Sequence, residues 1–187
     1  PRKSTAQEDY DKDGIDELCL FNNELQSIVK LDGYGGICEF DDYRLNHNFG
    51  DTLRRQAEHY FEKIHRNKKS GEHSGEGIAS PHDRVTFKHE IFPSDLLTDH
   101  NPHGLFTDTW VGITESLPIK NYELKQTDKD SVQFTAHVAN GAIEKTINLA
   151  GNRIEAQYRT RRIKEEGHLS VRLLLSLPSC DGYAGRY

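Results

Sequence analysis

Residues 132–160 alternate apolar and polar side chains, and this alternation restricts the fold of the chain more than any other feature of its sequence. In the first run, the apolar positions are Val132, Phe134, Ala136 and Val138. Asn140-Gly141 follows, a dipeptide typical of a two-residue type I′ turn, and residues 143–149 and 154–160 continue the alternation across a second turn at Gly151-Asn152. Because successive side chains of a strand point to opposite faces, the pattern predicts antiparallel strands with one buried face.

Shorter apolar runs predict further strands on both sides of this region. Residues 17–21 and 27–31 predict a hairpin around Asn22-Asn23, and residues 37–40 predict a strand after a glycine-rich turn. A last strand has apolar residues on one face, which we expect to be buried: Val171, Leu173, Leu175 and Leu177.

Only one helix is expected. Apolar residues recur at three- and four-residue spacing from Asp51 to about Arg66, which predicts a short helix. The fold class predicted from these elements is all-β: an antiparallel β-sandwich with one short helix, forming a single domain over residues 1–187.

Composition limits the classes of partner. The chain has a net charge of -6, and 34% of its residues are apolar. It therefore offers no general attraction to nucleic acid or anionic membranes, and no apolar run is long enough to span a bilayer, so neither partner is expected. The first residue is Pro1 and methionine is absent, which together predict a piece of a longer protein.

The cysteines indicate the redox compartment. The chain has an odd number of cysteines, and their spacing is not that of metal ligands: Cys19, Cys38 and Cys180. They are interpreted as reduced thiols of a cytoplasmic protein, with a disulfide between Cys19 and Cys38 as the alternative.

An aspartate-rich loop near the start of the chain predicts a calcium site. Carboxylates at alternate positions ahead of Gly14 are suited to one hard cation, because this spacing turns several oxygens toward a common point. The predicted ligands are Asp9, Asp11, Asp13, Ile15 through its carbonyl, and Glu17. An EF-hand would require a glutamate at the position of Leu20, so we expect a structural calcium ion at the entry to a sheet. The alternative is a solvated acidic turn without a metal.

Five short motifs, taken in order, resemble one enzyme family. Besides the aspartate loop, they are Gly35-Gly36-Ile37-Cys38-Glu39-Phe40-Asp41, Asp51-Thr52-Leu53-Arg54-Arg55-Gln56-Ala57-Glu58-His59-Tyr60, Gly77-Ile78-Ala79-Ser80-Pro81-His82-Asp83-Arg84 and Leu175-Ser176-Leu177-Pro178-Ser179-Cys180-Asp181-Gly182. This series resembles the C-terminal region of glycoside hydrolase family 57, in particular its 4-α-glucanotransferases and α-amylase-like members. The resemblance runs from about Asp9 to Tyr187.

The resemblance implies a β-sandwich of the galactose-mutarotase-like (supersandwich) kind that follows a catalytic barrel in the same polypeptide. The family's catalytic Glu and Asp belong to that barrel and have no matching positions here, so no catalytic residue is assigned. The fragment is expected to be inactive, whereas its parent would cleave or transfer α-1,4-glucan chains. Its expected partners are therefore the missing N-terminal barrel and α-glucan.

Several residues are candidates for contact with carbohydrate. Aromatic rings stack on the apolar face of a pyranose, and loop residues on a rigid scaffold commonly bind ligands. The candidates are Trp110, Tyr34, His82, Asp83 and His100. Trp110 is alternatively a core anchor, and the loop histidines alternatively hold loops together or face the missing barrel. A free-standing carbohydrate-binding module and an aldose-epimerase-like enzyme remain alternative functions.

Overall fold

The computed structural model describes residues 4–50, 52, 55, 61, 92, 96–99 and 101–177. The chain divides into two compact units, one formed by Pro1–Leu53 with Asn101–Tyr187 and the other by Arg54–His100. Most of the predicted helix at residues 51–66 lies outside the described residues. Within this range the structure describes residues 52, 55 and 61, and Phe61 is helical. The prediction of a single domain stays a prediction.

The first unit is built from short antiparallel strands. Its described residues form β1 (Ser4–Glu8), β2 (Glu17–Phe21), β3 (Leu25–Lys30), β4 (Ile37–Asp42), β5 (His47–Asn48), β6 (Leu105–Gly112), β7 (Ser116–Pro118), β8 (Glu123–Thr127), β9 (Ser131–Val138), β10 (Gly141–Ala150), β11 (Arg153–Arg161) and β12 (Gly167–Leu173).

These strands make two sheets. The large sheet has the order β1-β2-β3-β4-β6-β12, with β5 paired to β4 and β7 paired to β6. The small sheet has the order β11-β10-β9-β8. Every described pairing is antiparallel, as the alternating sequence predicted.

One apolar core joins the two sheets. Leu18, Val29 and Ile37 of the large sheet belong to the same buried cluster as Phe134 and Ile147 of the small sheet. The prediction of an all-β sandwich is therefore confirmed. Among the described residues, no helix has the length and apolar character needed to cross a membrane.

The hairpin of β9 and β10 forms as predicted, but its turn lies one residue earlier. Three of the four predicted apolar residues are fully buried: Val132, Phe134 and Ala136. Val138 pairs with Gly141, so the turn residues are Ala139 and Asn140, with φ values of 50° and 54°. A Cβ at Gly141 would lie 2.5 Å from the carbonyl oxygen of Arg161. The glycine is thus required by close strand approach rather than by the turn.

The expectation that the last strand buries its apolar face was wrong. Val171, Leu173, Leu175 and Leu177 are all exposed. β12 lies at the edge of the large sheet, where it pairs only with β6 among the described strands. The apolar pattern specifies which residues share a face, but it does not specify whether another element packs on that face.

Candidate functional site

The aspartate loop connects β1 to β2 and is folded by its own carboxylates. Gly14 N–H donates to Asp9 Oδ2 at 3.0 Å, and Ile15 N–H donates to Asp13 Oδ1 at 2.8 Å. Asp13 N–H also donates to Asp11 Oδ1 at 3.3 Å. Gly14 has a φ of 90°, a conformation that favours glycine. The loop therefore turns its acidic side chains inward, as the sequence predicted.

Three of the five predicted metal ligands converge. One oxygen from each of Asp9, Asp11 and Glu17 lies within 4.8 Å of the other two. Glu17 is 2% exposed, and its Oε2 accepts a hydrogen bond from Tyr10 N–H at 2.8 Å. Asp13 is beside the cluster, and Ile15 has an exposed side chain.

Lys30 of β3 brings a positive charge into this carboxylate cluster. Its Nζ lies 2.5 Å from Asp11 Oδ2, 2.7 Å from Glu17 Oε1 and 3.3 Å from Asp13 Oδ2. Burial lowers the pKa of Lys30, but the hydrogen bonds to the carboxylates more than offset burial, so the pKa lies above its ordinary value. The same contact acts on Asp11 in the opposite direction: the hydrogen bond from Lys30 lowers the pKa of the Asp11 carboxyl.

The oxygen donors of the cluster fit a hard cation. Asp9 Oδ1 is buried and accepts no hydrogen bond from the described residues. Oxygens within about 5 Å of one another can share one calcium ion, since calcium–oxygen distances are about 2.3–2.6 Å. A calcium ion bound to the Asp11 and Glu17 oxygens would displace the Lys30 ammonium, because both cations need the same atoms.

Sequence reasoning missed Lys30, although the sequence contained the signal. The turn at Asn22 sets the register of β2 against β3, which places Lys30 directly opposite Glu17. Residues directly opposite each other in an antiparallel pair have neighbouring side chains, so a lysine across from a predicted metal ligand is a competing cation.

The carbohydrate candidates occupy different environments. Trp110 is 8% exposed and belongs to the core cluster, which favours the core-anchor role over a sugar platform. Tyr34 is half-buried, its N–H donates to Asp32 Oδ1 at 3.0 Å, and it lines a cavity of about 10 Å³. That cavity has room for about one water molecule and none for a sugar ring. His82, Asp83 and His100 lie outside the described residues.

Two exposed tyrosines offer a better stacking surface. Tyr43, which follows β4, is 46% exposed, and its hydroxyl donates to Gln26 Oε1 at 3.1 Å. Gln26 Nε2 in turn donates to Asp41 Oδ2 at 3.2 Å. Tyr10 is 54% exposed, and the negative charge of Glu39, followed by burial and the charge of Asp41, raises its pKa. We call Tyr10, Gln26, Asp41 and Tyr43 the tyrosine surface.

A second charged cluster lies in the core between the sheets. Lys145 Nζ lies 2.9 Å from Asp108 Oδ2, and both side chains are fully buried. Tyr122 and Tyr158 donate their hydroxyls to Asp108 at 2.9 and 2.8 Å, and the carbonyl oxygen of Phe106 also accepts a hydrogen bond from Lys145. Burial lowers the pKa of Lys145, and burial with the nearby Asp108 charge raises those of both tyrosines. No substrate can reach these groups, so they connect the two sheets rather than act on a ligand.

The described cysteines are thiols. Cys19 and Cys38 are both free and partly buried, and their reduced state in a cytoplasmic protein stays a prediction. Burial raises the pKa of Cys38 to about 12 and also raises that of Cys19. Thiolate is the reactive form, so both react slowly near neutral pH. Cys180 lies outside the described residues.

Comparison with known proteins provides the family and an independent view of the fold. Residues 9–187 match a family model described as "Alpha-amylase/4-alpha-glucanotransferase, C-terminal". Among solved structures, the chain is similar to the 4-α-glucanotransferase from Thermococcus litoralis, with a TM-score of 0.56 and 19% sequence identity. The alignment covers 86% of this chain and 24% of that chain, so the chain spans about a quarter of that enzyme's length. At this identity, the likeness shows the fold alone. No curated protein matches the chain.

Proposed function

Because this chain belongs to the family of C-terminal domains of α-amylases and 4-α-glucanotransferases, we propose that it is the non-catalytic domain of a cytoplasmic enzyme that processes α-glucan. The observation that carries the proposal is the family match over residues 9–187. The domain supports the enzyme's N-terminal catalytic barrel and helps to bind the glucan. We assign its sandwich to the galactose-mutarotase-like kind.

The placement of carboxylates supports a non-catalytic role. Retaining glycosidases need two carboxyl groups about 5 Å apart on either side of a sugar. In the described part of the chain, two members of the cluster of Asp9, Asp11 and Glu17 are instead paired with Lys30, and Asp108 is buried between the sheets. We therefore expect the 187-residue chain to lack hydrolase and transferase activity with maltooligosaccharides.

The tyrosine surface is the proposed glucan contact. A pyranose stacked on the exposed ring of Tyr43 would lie beside the amide of Gln26 and the carboxylate of Asp41, both of which bind hydroxyls. An exposed aromatic ring next to hydrogen-bonding side chains provides the two interactions by which proteins bind sugars, which are stacking and hydrogen bonding.

Tyr43→Ala is expected to weaken the binding of a maltooligosaccharide about tenfold, because truncating a stacking aromatic typically costs about 1–2 kcal/mol. Titration calorimetry on the 187-residue chain measures the affinity. Tyr43→Phe is the matched control, since it keeps the ring while removing the hydroxyl that bonds Gln26. Equal affinities for wild type and Tyr43→Ala would contradict this contact.

The same titration distinguishes the alternative functions. Glucan binding by the chain alone that is as tight as binding by the full-length enzyme favours a free-standing carbohydrate-binding module. Anomerisation of a monosaccharide, lost in His82→Ala, favours an aldose-epimerase-like enzyme. The sequence encoded next to this chain in the same polypeptide provides the most direct test, because an unrelated neighbour in place of a catalytic barrel contradicts the proposed function.

We also propose that the aspartate loop binds one structural calcium ion. The supporting observations are the three converging carboxylates and the buried Asp9 Oδ1 that accepts no hydrogen bond from the described residues. The ion would be held by Asp9, Asp11 and Glu17, with Asp13 and the Ile15 carbonyl completing the shell. Bound calcium would replace Lys30 as the charge that holds the loop against β3.

Calcium is expected to raise the melting temperature relative to the chelator EGTA. At a calcium concentration of 100 times Kd, binding to the folded state alone adds about 2.7 kcal/mol. For a domain of this size, that corresponds to a shift of about 5–10 °C, which circular dichroism can measure.

Variants of the loop separate calcium binding from general charge effects. Asp9→Asn should abolish the calcium-dependent shift, whereas Asp16→Asn should keep it, because Asp16 bonds Gln7 at 2.9 Å outside the cluster. Lys30→Met removes the competing ammonium and should enlarge the shift. An unchanged melting temperature in the wild type and in Lys30→Met would rule out the calcium site.

A further inference from the structure

A basic cavity lies at the end of the small sheet where β9 turns into β10 and where β11 ends. Its volume is about 800 Å³, which is in the range of ligand pockets. None of the described residues that line it is acidic, although the whole chain has a net charge of -6. Its basic lining residues are His137, Arg161, Arg162 and Lys164.

The strand register explains why this end of the sheet is hollow. Ala142 of β10 pairs with His137 of β9 on one side and with Arg161 of β11 on the other. The next residue, Ile143, is fully buried, so Ala142 faces outward, and the residues directly opposite Ala142 project to the same face. A small alanine between two large side chains leaves space above the sheet, with histidine on one wall and arginine on the other.

Two contacts hold the rim of the basic cavity in place. Lys164 N–H donates to the Ala139 carbonyl oxygen at 3.1 Å, which joins the segment after β11 to the β9–β10 turn. The side-chain amide of Asn140 donates to Glu165 Oε1, and Glu165 itself does not line the cavity. Because the folded chain already fixes this rim, binding a ligand there requires little further ordering.

Two cations of the basic cavity lack a counter-charge. Arg161 Nε lies 2.5 Å from Glu144 Oε1, so these two residues neutralise each other. Arg162 and Lys164 are exposed, and neither forms an ion pair within the part of the chain that the structure describes. Glu166 is exposed and does not line the cavity. The cavity therefore suits an anion that carries about two negative charges.

We propose that the basic cavity binds the phosphate group of a phosphorylated sugar. A phosphate monoester carries about -1.5 to -2 charges at pH 7 and has three acceptor oxygens, which matches the two unpaired cations. The guanidinium of Arg162 can donate paired N–H bonds to phosphate oxygens, and the Lys164 ammonium adds a compact positive charge. A phosphate ion alone would leave most of the volume empty, whereas His137 and Asn140 offer hydrogen-bonding groups for the hydroxyls of a sugar ring.

The basic cavity is a separate site from the proposed glucan contact. It is formed by strands of the small sheet and the segment after β11, and it shares no residue with the tyrosine surface. Its ligand is a charged small molecule, whereas α-glucan is neutral. The two proposals therefore concern different residues and different chemistry.

Titration calorimetry of the 187-residue chain with glucose 6-phosphate tests the site. The wild type should bind, and Arg162→Gln and Lys164→Gln should each bind about tenfold more weakly, because each loses a charged hydrogen bond. Arg153→Gln is the matched control, since it removes the same charge at the other end of β11, where Arg153 pairs with Glu155 at 2.6 Å. Its affinity should equal that of the wild type.

A second variant blocks the basic cavity without changing its charge. Ala142→Leu places a larger side chain between His137 and Arg161 and should weaken binding by about tenfold or more, while all the cations remain. Ala142 faces outward, so the variant is expected to fold. Urea unfolding of each variant checks that a loss of binding is not a loss of structure.

Glucose and inorganic phosphate test the two halves of the ligand. Each should bind about tenfold or more weakly than glucose 6-phosphate, because each lacks one set of contacts. No binding of glucose 6-phosphate by the wild type overturns the proposal, and so does equal affinity for glucose or for inorganic phosphate. An equal loss in Arg153→Gln, or full binding by folded Ala142→Leu, also overturns it. None of these titrations uses a maltooligosaccharide, so their failure is distinguishable from failure of the proposed function.

Discussion

Lys145→Met is expected to lower the free energy of unfolding by about 3–5 kcal/mol, because it leaves the buried Asp108 carboxylate without its counter-charge. Lys145 Nζ lies 2.9 Å from Asp108 Oδ2, and neither side chain is exposed. The ion pair joins β10 of the small sheet to β6 of the large sheet, so its loss acts on the packing of both layers. Urea unfolding followed by tryptophan fluorescence measures the change.

Asp108→Ala should be more damaging than Lys145→Met. The carboxylate accepts hydrogen bonds from Lys145, Tyr122 and Tyr158, so its removal leaves two buried hydroxyls without an acceptor and the buried Lys145 ammonium without its counter-charge. In Lys145→Met, by contrast, the two hydroxyls continue to donate to Asp108. Each buried group left unsatisfied costs about 1–3 kcal/mol, and more when it is charged, so we expect a loss above about 5 kcal/mol.

An exposed ion pair provides the control. Lys125 Nζ lies 2.8 Å from Glu123 Oε2, nearly the same separation as in the buried pair, but both side chains face solvent. Lys125→Met should therefore change stability by less than about 1 kcal/mol. If Lys145→Met were equally mild, the buried contact would not be a rigid connection between the sheets.

The strand row that contains Lys145 shows what could be read from the sequence. Ile143, Ile147 and Leu149 alternate along β10 and are fully buried, which the period of two predicted. Lys145 occupies the same inward row, so the sequence already required a buried partner for it. The partner could not be named, because Asp108 lies on another sheet and only the packing of the two layers brings it close.

The aspartate loop and β12 are two further places where the sequence pattern predicted the local structure but not its surroundings. Local spacing predicted that the loop carboxylates turn inward, but Lys30 enters from the neighbouring strand through the β2–β3 register. The last predicted strand has the alternating apolar residues of a buried face, yet Val171 and Leu173 of β12 are exposed at the edge of the large sheet. In both cases, local periodicity was informative, and the missing information was the position of a second element.

Gly33→Ala is expected to lower the free energy of unfolding by about 2–4 kcal/mol, through both backbone strain and a direct clash. Gly33 has a φ of 89°, and a Cβ there would lie 2.5 Å from the carbonyl oxygen of Lys120. The Gly33 carbonyl also accepts a hydrogen bond from Tyr122 N–H at 2.8 Å, so the turn after β3 is bound to the segment that leads into β8. A methyl group at this point would push the two segments apart.

Gly151→Ala separates the two causes. Gly151 also has a positive φ, 62°, but an added Cβ would meet no atom within 4 Å. This control should lose only the strain of about 1–2 kcal/mol that a left-handed conformation imposes on alanine. The excess loss in Gly33→Ala then measures the contact with Lys120, and urea midpoints of the two variants provide the comparison. Equal losses would mean that the Lys120 segment yields to the methyl group, so that close approach at Gly33 does not determine how the two sheets are connected.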